Sequence, residues 1–259
     1  MTQSVPGPTA TAFFDLDNTM IRGTSLIQLG KGLYARKYFK LGIILRALWL
    51  EAVFRATGAE HDGHIVEARE TVLSVIRGRS VAELAHDAEQ VFHESIAERI
   101  WPQAQALAAN HLEAGRPVWL VTAAPMEIAA VAAKHLGMSG AIGTRAEAVD
   151  GVYTGRLQGP LMHGPAKADA LRTLVSEHGY ELDRCAAYSD SFNDLPMLTL
   201  VGDPHVVNPD PDLLRHARAV GWPVHDFRTP GRRRTIVGAA VGGAIVGGLA
   251  VDLVRRVGS

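Results

Sequence analysis

The chain has 259 residues, 47% hydrophobic and 20% charged, with a formal net charge of −1. That length suits one large domain, or a core carrying a smaller inserted one. The near-neutral charge gives no footing for a nucleic-acid partner, which shows as a basic imbalance.

Residues 1–10 are polar, with two prolines, and read as a loose arm. Thr11–Asp17 predicts the first strand. From residue 25 to about 97 apolar positions recur at three- and four-residue spacing with no strand candidate, which predicts a block of helices. Pro117–Thr122 then reads as a strand and Glu127–Leu136 as a helix. Ala141–Val149 and Val152–Leu157 flank Asp150-Gly151, a hairpin-turn pair. The remaining expectations are a helix over Ala166–His178, a strand over Cys185–Ser189, a helix over Asp194–Leu200, a strand over His205–Val207 and a helix over Asp210–Ala219. Strand–helix alternation predicts an α/β fold with a parallel sheet and helices on both faces. The helical block becomes an inserted α-helical cap. The expected division is a core of residues 1–24 and 98–230, a cap of 25–97 and a Gly/Ala-rich apolar tail of 231–259.

Four short stretches carry chemistry. Ala12-Phe13-Phe14 runs into Asp15-Leu16-Asp17-Asn18-Thr19, and Cys185-Ala186-Ala187-Tyr188 runs into Asp190-Ser191-Phe192-Asn193-Asp194. Apolar runs ended by acids read as buried parallel strands delivering carboxylates to the C-terminal edge of a sheet, where open α/β folds place their sites. Acids gathered there repel unless a hard cation sits among them, and Mg²⁺ is held by one or two carboxylates, water and substrate phosphate. Asp15, Asp17, Asp190 and Asp194 are therefore the expected metal-site residues. Asp15 is also the candidate nucleophile on phosphorus, and Asp17 the acid that serves the leaving oxygen and then activates water. Thr122 and the adjacent backbone at Ala123 are expected to bind phosphoryl oxygens, and Lys167 to neutralise the transferring group. Singly, each has a plainer explanation: Asx turns with solvated acids, a turn threonine, an exposed helix lysine, an N-capping aspartate.

Together and in this chain order, the motifs resemble the haloacid dehalogenase superfamily of phosphohydrolases, in the branch near phosphoserine phosphatase that inserts a helical cap after the first motif. The resemblance covers roughly residues 11–227. It implies a Rossmann-like core, Mg²⁺, an aspartyl-phosphate on Asp15, acid–base work by Asp17, phosphate binding by Thr122 and Lys167, and Asp190 with Asp194 around the metal. Val207-Asn208-Pro209-Asp210 and Gly221-Trp222-Pro223-Val224 resemble the closing segment of a less characterised group in that branch. Phosphoserine phosphatases carry an acid shortly after the first motif to hold the substrate amine. This chain has Arg22-Gly23-Thr24-Ser25 there, which counts against phosphoserine.

The single cysteine, Cys185, excludes an internal disulfide and suits a reducing cytosol as strand filler. No basic segment followed by an apolar core marks a secretory signal. The eleven histidines show no metal-ligand spacing, and most are assigned to surface and loops. Between Asn18 and Ala59, Arg22, Lys31, Arg36, Lys37, Lys40, Arg46 and Arg55 interleave with apolar residues, a pattern that suits either an anionic membrane or an ordinary cap helix. Arg232-Arg233-Arg234 precedes an uncharged run, Thr235–Val251, so residues 235–254 read as a membrane-spanning or membrane-docked tail, or else a helix packed on the core. The expected function is a Mg²⁺-dependent phosphomonoester phosphatase acting on a small or lipid-linked phosphate ester. The alternatives are phosphoserine phosphatase and a membrane-associated regulatory protein with a residual site.

Overall fold

A computed structural model of the chain describes residues 9–39 and 73–228. The apolar runs form strands with both faces covered: Ala12–Phe14 (β1) and Ala186–Ser189 (β6) are buried throughout. Strands so buried belong to parallel sheets flanked by helices. With Val118–Pro125 (β2), Gly140–Thr144 (β3), Asp203–Val207 (β7) and Val224–His225 (β8) they form a six-stranded sheet in the order β3-β2-β1-β6-β7-β8. Each pairing in it is parallel. The expected α/β class is the observed one.

Alternation along β1 sends side chains to two cores. Phe13 joins Val121, Ala187 and Val206 against Leu171 and Leu174 of the helix Pro165–His178 and Leu213 of the helix Pro211–Val220. Ala12 and Phe14 join Leu120, Tyr188 and Val207 on the other face, under Ile128 and Ala132 of the helix Met126–His135. Leu29 and Leu33 of the helix Ser25–Ala35, and Leu84, Ala88 and Val91 of the helix Val81–Val91, belong to that same core. The helix Ser25–Ala35 touches β2, and the helix Val81–Val91 packs on Met126–His135.

Several local expectations are corrected. Ala141–Val149 is not one strand. Gly140–Thr144 pairs with β2 at the edge of the main sheet, while Ala146–Val149 (β4) pairs antiparallel with Val152–Leu157 (β5). The break falls at exposed Arg145, where the chain leaves the sheet. Gly143 permits the close approach just before it, because a Cβ there would meet the Ala124 carbonyl at 2.9 Å. The turn Asp150-Gly151 has positive φ at both residues (51° and 77°), as a two-residue hairpin of matching twist requires. A helix over Pro102–Glu113 was not anticipated. Several histidines are also not loop residues. His205 stacks on Tyr188 at 4.5 Å and lies 3.1 Å from His225, and His111 sits 2.9 Å from the Tyr188 hydroxyl, filling the space beneath the sheet.

The uncharged run and its flanking arginines lie outside the described residues, as do Lys40, Arg46 and Arg55. Arg36 lies within them, and its guanidinium is engaged by Asp87 (3.3 Å) and Glu94 (2.7 Å). Among the described residues no helix is long and apolar enough to cross a membrane.

Candidate active site

Register places the acids. Phe14 is level with Leu120 on one side and Tyr188 on the other, so Asp15 emerges at the C-terminal edge of the sheet, its N–H donating to the Tyr188 carbonyl at 2.9 Å. The chain then turns sharply, with the N–H groups of Met20 and Ile21 both donating to the Leu16 carbonyl. Asn18 takes a left-handed conformation (φ 58°) that asparagine tolerates. Its side-chain oxygen accepts from Gly23 N–H at 3.1 Å and its own N–H donates to the Gly23 carbonyl, closing the loop. That closure sets the first turn of Ser25–Ala35 over Asp17, whose Oδ1 accepts from Ser25 N–H at 2.8 Å. A helix N-terminus has unpaired N–H groups and favours such a carboxylate.

Lys167 begins the helix Pro165–His178, behind Gly164 at φ 53° and Pro165 in its first turn. Only 3% of it is exposed. Its Nζ donates to Asp15 Oδ1 at 2.5 Å and to Asp194 Oδ2 at 2.7 Å, and Ser189 Oγ donates to that same Asp194 oxygen at 2.6 Å. Burial pushes Asp15 up to about 7, Lys167 pulls it down, and Asp194 and Asp17 add to the rise. Burial also raises Asp17, with the Ser25 N–H opposing. Asp190 is raised well above the carboxylate range by burial and by the Asp15 and Asp194 charges, with a hydrogen bond from the Asn18 side chain opposing. Burial alone would depress Lys167, but the two aspartates hold it above the usual lysine range.

These observations test the fit of a cation. Among the described residues no group of three or more His, Cys, Asp or Glu is arranged as a metal cage. Mg²⁺ does not need one, since it is typically held by one or two carboxylates with water and phosphate oxygens. The Asp15 charge adds to the rise of buried Asp190, and a divalent cation would relieve that repulsion. The donor set fits Mg²⁺. Asp17 Oδ1 accepts from Ser25 N–H, and Asp194 Oδ2 accepts from Lys167 and Ser189.

Thr122 is buried one strand over, where pairing between β2 and β3 breaks after Val121 and resumes at Pro125–Thr144. Within this bulge Thr122 Oγ1 accepts from Ala124 N–H at 3.1 Å, which leaves its hydroxyl proton free to donate. The Ala123 carbonyl is held by Thr144 Oγ1 at 2.8 Å. Ser189, Ser25 and Asn208 also belong to the site's framework and were not singled out for that role from the sequence. Ser189 follows an apolar run and Asn208 sits in the closing segment, so only their positions hinted at a role.

A family model described as haloacid dehalogenase-like hydrolase matches residues 12–199. The chain is 46% identical over 250 residues to "Phosphoserine phosphatase SerB1" of Mycobacterium tuberculosis, covering 96% of this chain and 81% of that protein. It is 30% identical over 224 residues to a histidinol-phosphatase of Neisseria meningitidis, covering 84% and 98% of the two chains. A crystal structure of a Bordetella pertussis protein of unknown function superposes with a TM-score of 0.72 at 29% identity, over 84% of this chain and 98% of that one. With a buried lysine between two aspartates at the edge of a parallel sheet, these matches mean that the chain belongs to the haloacid dehalogenase-like hydrolases and is a phosphatase of that family.

Proposed function

We propose that the chain is a Mg²⁺-dependent phosphomonoesterase for a small phosphate ester, acting through a phosphorylated Asp15, with residues 25–97 as the cap. The observation that carries this reading is Lys167 bridging Asp15 and Asp194 while Asp17, two residues from Asp15, is held separately by Ser25. A bound Mg²⁺, held by Asp15 and Asp190, would supply electrostatic stabilisation of the phosphoryl oxygens. Asp15 attacks phosphorus; the phosphorus–ester oxygen bond breaks, and the leaving oxygen takes the proton of the Asp17 carboxylic acid. Burial favours that protonated form of Asp17. Asp17, now a carboxylate, removes a proton from water, and the oxygen attacks phosphorus to release phosphate and free Asp15. Lys167 and the Thr122 hydroxyl, with the Ala123 backbone, bind the charge on the transferring group. Asp194 acts on Lys167 rather than on the cation.

Phosphoserine is the narrower reading, supported by the name of the M. tuberculosis relative. Against it stands the segment Arg22–Ser25, which has no acid to hold an amine. The lipid-linked substrate is withdrawn, because it rested on the tail and on the cap segment centred on residues 40–55, outside the described residues, and neither named phosphatase is named for a lipid. The test is a hydrolysis screen of phosphoserine, histidinol phosphate and sugar phosphates with Mg²⁺ or with chelator, using Asp15→Asn as blank. Hydrolysis that survives chelation, or equal hydrolysis by Asp15→Asn, removes the reading.

A further inference from the structure

Val207-Asn208-Pro209-Asp210 stood out in the sequence, and the chemistry above makes no use of it. Asn208 directly follows β7, is 5% exposed and has φ 47°. Its side-chain Nδ2 donates to the Asn18 carbonyl at 2.9 Å, and its Oδ1 accepts from Phe227 N–H at 2.7 Å. Its own N–H donates to the His225 carbonyl at 2.8 Å. One amide therefore ties the loop after Asp17 to the closing segment of the chain. Two residues on, Asp210 N–H donates to the Asp190 carbonyl at 2.8 Å, and Asp210 Oδ2 accepts from Phe192 N–H at 2.7 Å. The same short turn holds the loops bearing Asp17 and Asp190.

We propose that Asn208 is a positioning residue that fixes the Asn18–Thr19 peptide in the turn after Asp17, and with it the acid–base carboxylate, an inference that rests on the phosphatase reading above. The residue type follows from the geometry. The position needs a donor and an acceptor on one short side chain in a left-handed backbone, and aspartate lacks the donor. Glycine keeps the backbone and loses both bonds. Gly23 holds the N–H and side-chain oxygen of Asn18, and Asn208 holds its carbonyl. Acid–base transfer demands hydrogen-bond reach, and a misplacement of about 1 Å costs up to ~100-fold.

The test compares Asn208→Gly alone, Asp17→Asn alone and the pair, with folding checked by thermal melting. Asn208→Gly is expected to lower kcat about 10- to 100-fold, with KM changed less than about threefold. On the Asp17→Asn background the same change should cost less than about threefold, because the group it positions is gone. Asn208→Asp, which keeps the acceptor for Phe227 and loses the donor to Asn18, should reproduce the kcat loss. An equal loss on both backgrounds, an unchanged kcat in Asn208→Gly, or failure of both Asn208 variants to fold assigns Asn208 to stability and overturns the proposal. If Asp17→Asn itself keeps full kcat, the acid–base reading fails instead.

Discussion

Tyr188 and Ser189 are neighbours on β6, facing opposite sides of the sheet, and the regions they face bury ionisable groups in opposite ways. On the Ser189 side the charges are kept and paired: Ser189 and Lys167 both hold Asp194, and Lys167 also holds Asp15. On the Tyr188 side charge is given up. Tyr188 stacks on Phe14 at 4.1 Å and on His205, with His111 and His225 close by, and burial pushes both of those imidazoles down, toward neutrality. Burying an ion costs far more than burying a neutral ring. The first region offsets that cost by pairing its charges, as the proposed chemistry requires; the second serves packing.

Substitutions can break this contrast, and the largest effect belongs to the charged side. Asp15→Asn removes the proposed nucleophile, and kcat should fall at least about 10³-fold, measured against a blank of no enzyme. Asp17→Asn should slow turnover about 10²–10⁴-fold through loss of acid–base assistance alone. A radiolabelled ester and rapid quenching should still find phosphate on the protein in that variant, and its absence would reverse the roles of the two aspartates.

Lys167→Met should lower kcat about 10²-fold or more. The same change leaves Asp15 and Asp194 buried without their cation, at a cost of ~3–5 kcal/mol in urea unfolding. A Lys167→Met protein as stable as the parent would mean that the acids simply protonate, and that the ion pair is not what stabilises this edge.

The smallest effect is expected opposite. His111 is held below its ordinary value by burial, so the unfolded chain binds more protons below about pH 6.5. The stability contributed by neutral His111 is therefore full above about pH 6.5 and is lost as pH falls from there towards its depressed folded value. His111→Phe keeps a ring beside Phe14 but orphans the Tyr188 hydroxyl, costing ~1 kcal/mol at pH 7.5. Its melting temperature should fall less than the parent's between pH 7.5 and about pH 5.5, with kcat unchanged. An equal acid sensitivity in both proteins would show that His111 does not set the acid sensitivity of this fold.

Element type was legible wherever the local pattern was strong. The buried runs at β1 and β6, the helix Pro165–His178 and the Asp150-Gly151 turn fall within a residue or a few of their expected places. The helix Pro102–Glu113 escaped because its only buried residues are Ala104 and Ala108, too small to mark a face. β8 escaped because two residues cannot display a period.

Side-chain alternation and the acids that end apolar runs are properties of neighbouring residues, so the sequence by itself determined the fold class and nominated Asp15, Asp17, Lys167, Asp190 and Asp194. It could not say which acids are partnered. That Asp194 serves Lys167, that Ser189 serves Asp194, and that Asn208 reaches Asn18 across 190 residues were decided only by strand order and register. The physical reason is range: a side chain's period is set by the chain next to it, whereas its partner is set by which strand the sheet places alongside.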